Sequence, residues 1–179
     1  MKRLLKVFGV VVLVAGMMSG VQAQTSEASH DITIGIIEIA ELGLEDSDAI
    51  TLTVTAPETP GDDPQGDSNS AKVLDYTSTV NSSSSRTITA AISSGTVPSG
   101  LRLAVAAANP GGPNEGASAG ELDLGSTAAD LITGIRSCAT NSGGGGTGLT
   151  YNLYVDDPTS LDYSANPTVT VQYTLTDDS

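Results

Sequence analysis

The chain has 179 residues, with 21 Asp and Glu against seven Lys and Arg, one His and one Cys. So acidic a chain is unsuited to nucleic acid, because binding phosphates takes a basic surface. Cys138, being alone, excludes an intramolecular disulfide.

Lys2, Arg3 and Lys6 precede the apolar run Val7–Met18, and Val21-Gln22-Ala23 ends in a small-x-small cleavage pattern. Residues 1–23 therefore read as a secretory signal peptide. Its apolar core is too short to span a bilayer, and no later run approaches that length. The expected location is secreted: periplasm, outer surface or extracellular. Cleavage after Ala23 leaves 156 residues, with four basic side chains against 21 acidic ones, a formal charge of −17. The only Phe and all three Met leave with the leader, so the aromatics that remain are five Tyr and His30. The rest reads as a flexible tail over residues 24–30 and one domain over residues 31–179.

Asp31–Ala40 reads as the first strand. Ile32, Ile34 and Ile36 share one parity and Ile37 and Ile39 the other, which suggests a bulge beside Gly35. Ala49–Ala56 alternates Ile50, Leu52 and Val54 with threonines and predicts a second strand. Pro57–Ala71, rich in Pro, Gly and Asp, predicts a long polar loop. Further strands are expected at Lys72–Val80, Arg86–Ser93 and Leu101–Ala107, with Leu74, Tyr76, Ile88, Ile92, Leu103 and Val105 facing inward. Ala108–Gly120 reads as irregular, Glu121–Leu124 as a short strand and Ser126–Asp130 as one capped helical turn. Leu131–Cys138 predicts another strand, and the four-glycine run ahead of Gly148 a turn. Gly148–Val155 alternates Leu149, Tyr151 and Leu153, and Thr168–Thr176 alternates Val169, Val171, Tyr173 and Leu175. All these inward residues should form the core. About nine short strands with turn signals between them predict an all-β chain: a single immunoglobulin-like or pilin-like antiparallel β-sandwich.

The segments ITIGIIEIAEL, LDYTSTV, SRTITAAISSGTVPSGLRLAVAA, TAADLITGIRSC, GLTYNLYV and TVTVQYTLTDD carry a resemblance. Together they resemble the pilin-like exported β-sandwich proteins of Gram-negative bacteria, akin to spore coat protein U and fimbrial subunits. The resemblance implies a structural role without catalysis. It also implies assembly by donation of a terminal strand, with the chain itself or other surface subunits as partners.

The candidate chemistry is sparse. A Ser or Cys nucleophile wants a neighbouring base, and the sole His, His30, sits in the expected tail. No catalytic residue and no bound cofactor is expected. Asp62, Asp63 and Asp67 with Asn69 offer oxygen ligands in one loop, and Glu45, Asp46 and Asp48 form a second acidic run. Neither has EF-hand spacing, so calcium binding there would be weak. Tyr151, Tyr154 and Tyr163 are the available sugar platforms. Lys72 shares the parity of Leu74, so its stem should lean inward while its head reaches water. The expected function is a secreted or cell-surface structural subunit, of a fibre, pilus or coat. The terminal strands, with Ile32, Ile34 and Ile36 at one end and Val169, Val171 and Tyr173 at the other, would either pair within one sandwich or lend one strand to a neighbour's open edge for assembly. The alternative is a secreted ligand-binding module for carbohydrate or calcium.

Overall fold

The computed structural model describes residues 26–143, 145–163 and 167–178. The expected signal peptide, residues 1–23, lies outside the described residues. Contacts divide the chain between Gly35 and Ile36, and the fold described here is that of Ile36–Ser179.

Ten strands are found among the described residues: β1 Ile39–Leu44, β2 Asp67–Thr79, β3 Arg86–Ser94, β4 Leu101–Ala107, β5 Ala117–Ser118, β6 Glu121–Asp123, β7 Ala129–Ile135, β8 Cys138–Ala139, β9 Thr147–Val155 and β10 Thr170–Asp177. They form two antiparallel sheets. The first runs β1-β2-β9-β4-β6, with β8 also on β2, and the second runs β10-β3-β7-β5. The chain is all-β and sandwich-like, as its alternating pattern predicts. No helix among the described residues is long and apolar enough to cross a membrane.

The core lies between the inner faces of the two sheets. Leu74 and Tyr76 of β2, Leu103 and Val105 of β4, and Leu149 and Tyr151 of β9 cluster with Ile88, Ala90, Leu131, Ile132 and Ile135 of the second sheet. The period-2 alternation places these side chains on one face of each strand. β7 breaks it: Leu131 and Ile132 are adjacent and both fully buried. The register against β3 slips on either side of Ile88, and Gly134 takes φ +71°, a left-handed value that glycine adopts freely. The slip turns three large aliphatics of one strand inward.

Four local expectations are corrected. Asp31–Ala40 is not a strand; the ladder starts at Ile39, opposite Thr79, where β2 ends. Earlier residues have no β2 partner left, because the chain turns away after Thr79. Ala49–Ala56 is not a regular strand either. Glu45 N bonds Val73 O and Thr55 pairs with Gln65, so ten steps on this segment match eight on the other. Two extra residues bulge out, the ladder is interrupted, and the inward side of Ile50, Leu52 and Val54 is only half-buried. The Pro57–Ala71 loop is shorter than expected, because β2 begins at Asp67 and absorbs Ser70 and Ala71 in a bulge against β9. Asn69 Oδ1 accepts from Ala71 N at 2.9 Å across that bulge. The helical turn expected at Ser126–Asp130 is absent. Ala129 and Asp130 pair with Ala90 and Thr89 instead, since one isolated helical turn cannot outweigh a ladder.

Candidate functional site

The two sides of the sandwich end differently. On one side the chain passes directly from β5 in the second sheet to β6 in the first, through Ala119 and Gly120. On the other side lie two longer strands, β1 and β10, each paired along one edge only. β1 opens the sandwich on that second side.

Arg86 organises the entry. It opens β3 with the inward parity of Ile88 and Ala90, and only 3% of its surface is exposed. Its Nε donates to Asp177 Oδ1 at 2.7 Å and one terminal nitrogen donates to Glu38 Oε1 at 2.5 Å. The other terminal nitrogen donates to Ile39 O and, at 3.2 Å, to Ser78 Oγ. One guanidinium thus ties the start of β1 to the end of β10. Its five donors in a planar fork suit such convergence. Both carboxylates are largely exposed, so removing the arginine would leave them hydrated. Removing the carboxylates would leave a cation in the interior. Beside this tie, Ile36, Ile37, Glu38, Val80, Ser84 and Asp177 border a cleft of about 520 Å³.

Upstream, Ile32, Ile34, Ile36 and Ile37 are 74%, 81%, 84% and 75% exposed, and no residue from Asp31 to Glu38 belongs to a strand. Isolated exposed aliphatics are ordinary; four within six residues are not. At the other terminal strand Val171 and Tyr173 lie in β10, and Val169 precedes it. All three are half-buried against the core. The two sets of sequence-predicted assembly residues are therefore unlike in state, and no ladder joins them among the described residues.

The remaining candidates separate. Asp67 opens β2 and accepts from Thr53 N and Ser68 N. No group of three His, Cys, Asp or Glu able to hold a metal ion is found among the described residues. Hence Asp62, Asp63 and Asp67 are not brought together as a calcium site. Lys72 has its stem inward as expected, but at 5% exposure its head does not reach open water; Nζ meets Asp46 Oδ2 at 2.9 Å instead. Asp46 Oδ1 also accepts from Asp48 N. These bonds, the backbone one first, hold the Asp46 carboxyl below its ordinary range. Tyr151 and Tyr173 join hydroxyl to hydroxyl at 2.5 Å between the sheets, and burial pushes both phenols up. Tyr154 carries Arg102 at 4.2 Å from its ring centre and donates to Glu121, so its polar tip and one ring face are occupied. Tyr163 is fully exposed. Cys138 is half-buried with a free thiol whose pKa burial raises, the reverse of what a reactive thiolate needs.

Sequence reading missed Arg86. The signal was available: four basic residues follow the leader, and Arg86 shares the inward parity of Ile88. A buried arginine requires acids from elsewhere in the chain.

No family model, no curated protein and no solved structure matches this chain.

Proposed function

We propose that this chain is an exported, non-catalytic structural subunit of a cell-surface assembly, joined to its neighbours through the N-terminal segment Asp31–Glu38. One observation carries the reading: four isoleucines stand in solvent on a segment with no strand partner, directly ahead of a complete sandwich. Burying one such side chain is worth about 1.5–3 kcal/mol, so leaving them wet is a standing incentive to associate. Ile32, Ile34 and Ile36 alternate with Thr33 and Gly35, a pattern that would give one apolar face if the segment were paired as a strand. Extended segments of this kind join a sheet edge through main-chain hydrogen bonds. The basic, apolar and small-residue order of residues 1–23 supports export.

Sedimentation and negative-stain imaging at low and high salt test the reading. The wild type should form large species once salt screens its charge, and Ile34→Asp should stay monomeric and folded. An Ile34→Asp protein that assembles like the wild type would sink it.

A further inference from the structure

We infer that the acceptor of this segment is the free edge of β10 in a second copy of the chain, so that assembly is a reversible addition to a sheet already folded. The inference rests on the reading above, and it names the surface that the donated strand meets.

Main-chain geometry selects the edge. Asp178 N donates to Ser85 O at 2.9 Å, in register with the β10–β3 ladder, so Asp178 faces β3. Ile92, opposite Val171, instead donates to Gly125 O at 2.7 Å, away from β10. Antiparallel pairs alternate between bonded and non-bonded. Val171, Tyr173 and Leu175 therefore turn their N–H and C=O groups to the free edge. The side chains of the same residues lie on the inner face, half-buried against the core. A strand laid on this edge would find open donors and acceptors, and beside them a strip of apolar surface that its own isoleucines would cover. Residues directly opposite in a ladder point to the same face. Ile32, Ile34 and Ile36 would stand beside Val171, Tyr173 and Leu175, with Thr33 and Gly35 outward.

Length and charge set the other edges aside. β5 and β6 have two and three residues. β1 has six, but it holds Glu41 and runs on into Glu45, Asp46 and Asp48. The donor segment is bounded by Asp31 and Glu38, so that approach sets like charges side by side. Thr170–Thr176 carries no charge at all. Asp177 ends β10, but along Thr170–Thr176 an uncharged donor meets an uncharged edge. The core is already closed without the donor: Leu74, Ile88, Leu131, Ile132, Ile135 and Leu149 are fully buried. Addition to the edge therefore completes no missing fold and can reverse when salt is withdrawn.

The test pairs single cysteines in a Cys138→Ala background, in chains produced from the complete sequence. Thr33→Cys is mixed with Gln172→Cys, with Thr174→Cys or, as the rival edge, with Glu41→Cys, at low and high salt under a mild oxidant. Disulfides are mapped by peptide mass. The expected result is a salt-promoted bond between chains from Thr33→Cys to Gln172→Cys or Thr174→Cys, severalfold above the Glu41→Cys pairing. Which β10 position reacts also reads out whether the added strand runs parallel or antiparallel. Equal or stronger bonding to Glu41→Cys would overturn the β10 edge and leave strand donation standing. So would salt-dependent assembly, abolished by Ile34→Asp, with no bond to β10. A bond formed within one chain in the Thr33→Cys/Gln172→Cys double variant, independent of concentration, would overturn both readings. A wild type that stays monomeric at high salt would do the same.

Discussion

The β5/β6 side and the β1/β10 side of this sandwich solve the same problem in opposite ways. Two sheets packed face to face always leave rims where the core meets water. On the first side the chain steps straight from one sheet to the other, and the strands there are too short to template anything. On the second side the rims are long, Val171, Tyr173 and Leu175 are half-wet, and a single arginine fastens the two terminal strands. Closure and availability are thus allotted to different sides of one small fold.

The largest expected effect contrasts the interior with the open rim. Leu131→Ala or Ile135→Ala should cost about 2–5 kcal/mol in denaturant unfolding, because both sites are fully buried and a slipped register holds them. Leu175→Ala should cost clearly less, as its site is half-open and collapses or wets easily. Equal costs would erase the contrast between centre and rim. Next comes the tie. Arg86→Met keeps an unbranched stem but removes its hydrogen bonds to charged partners, each worth about 1.5–3 kcal/mol. Hydrogen exchange should then rise at both Ile39–Leu44 and Thr170–Asp177, while β4 and β9 stay protected. Loosening of only one terminal strand would show that Arg86 does not couple them.

Alkaline pH tests the interior separately. Burial raises Tyr76 to about 12, and it raises Tyr151 and Tyr173 in the same direction. A phenol whose folded pKa lies above its unfolded value stabilises fully below the unfolded pKa, near 10, and loses that contribution as pH rises toward the folded one. Stability should therefore fall steeply above about pH 10. The buried tyrosinate absorbance should appear together with unfolding. The smallest effects are on the backbone and surface. Gly134→Ala should cost about 1–2 kcal/mol for its left-handed φ. Ile34→Asp should change monomer stability by no more than about 0.5 kcal/mol, since Ile34 touches solvent. A larger loss from Ile34→Asp, read by thermal unfolding, would mean that the segment already packs within the monomer.

Alternation carried most of the fold into the sequence. Leu101–Ala107 is a strand with the same bounds in both readings, and the strands starting at Arg86 and near Gly148 differ by one residue at an end. Inward parity also foretold the buried stem of Lys72. The misses share a cause: a strand needs a partner, and partners are not written locally. Ile32–Ile37 has all the β-propensity it requires, but β2 stops at Thr79. Ile50–Val54 alternates well beside β2, yet two surplus residues break its ladder. Leu131 and Ile132 read as ordinary strand residues, and only the slip against β3 makes both of them core. For the site, the isoleucines were visible as a motif. Their exposure was not, because it depends on where another strand ends.

The pairing of β2 with β9 and of β3 with β10 has a consequence for how the chain comes together. Asp67 waits for Leu153, and Arg86 for Asp177 at the far end of the sequence. β1 and β2 are consecutive partners, but neither sheet can be completed from neighbouring strands alone, so folding is dominated by distant pairings and belongs to the slow, milliseconds-to-seconds class. During synthesis β2 and β3 exist with open edges before their partners arrive, a period in which like chains can mispair. The acidic excess acts in that interval. Strands that carry Asp67, Asp75 and Asp130, on chains that repel one another, are kept apart until the last segment, Thr170–Asp177, arrives to complete the second sheet.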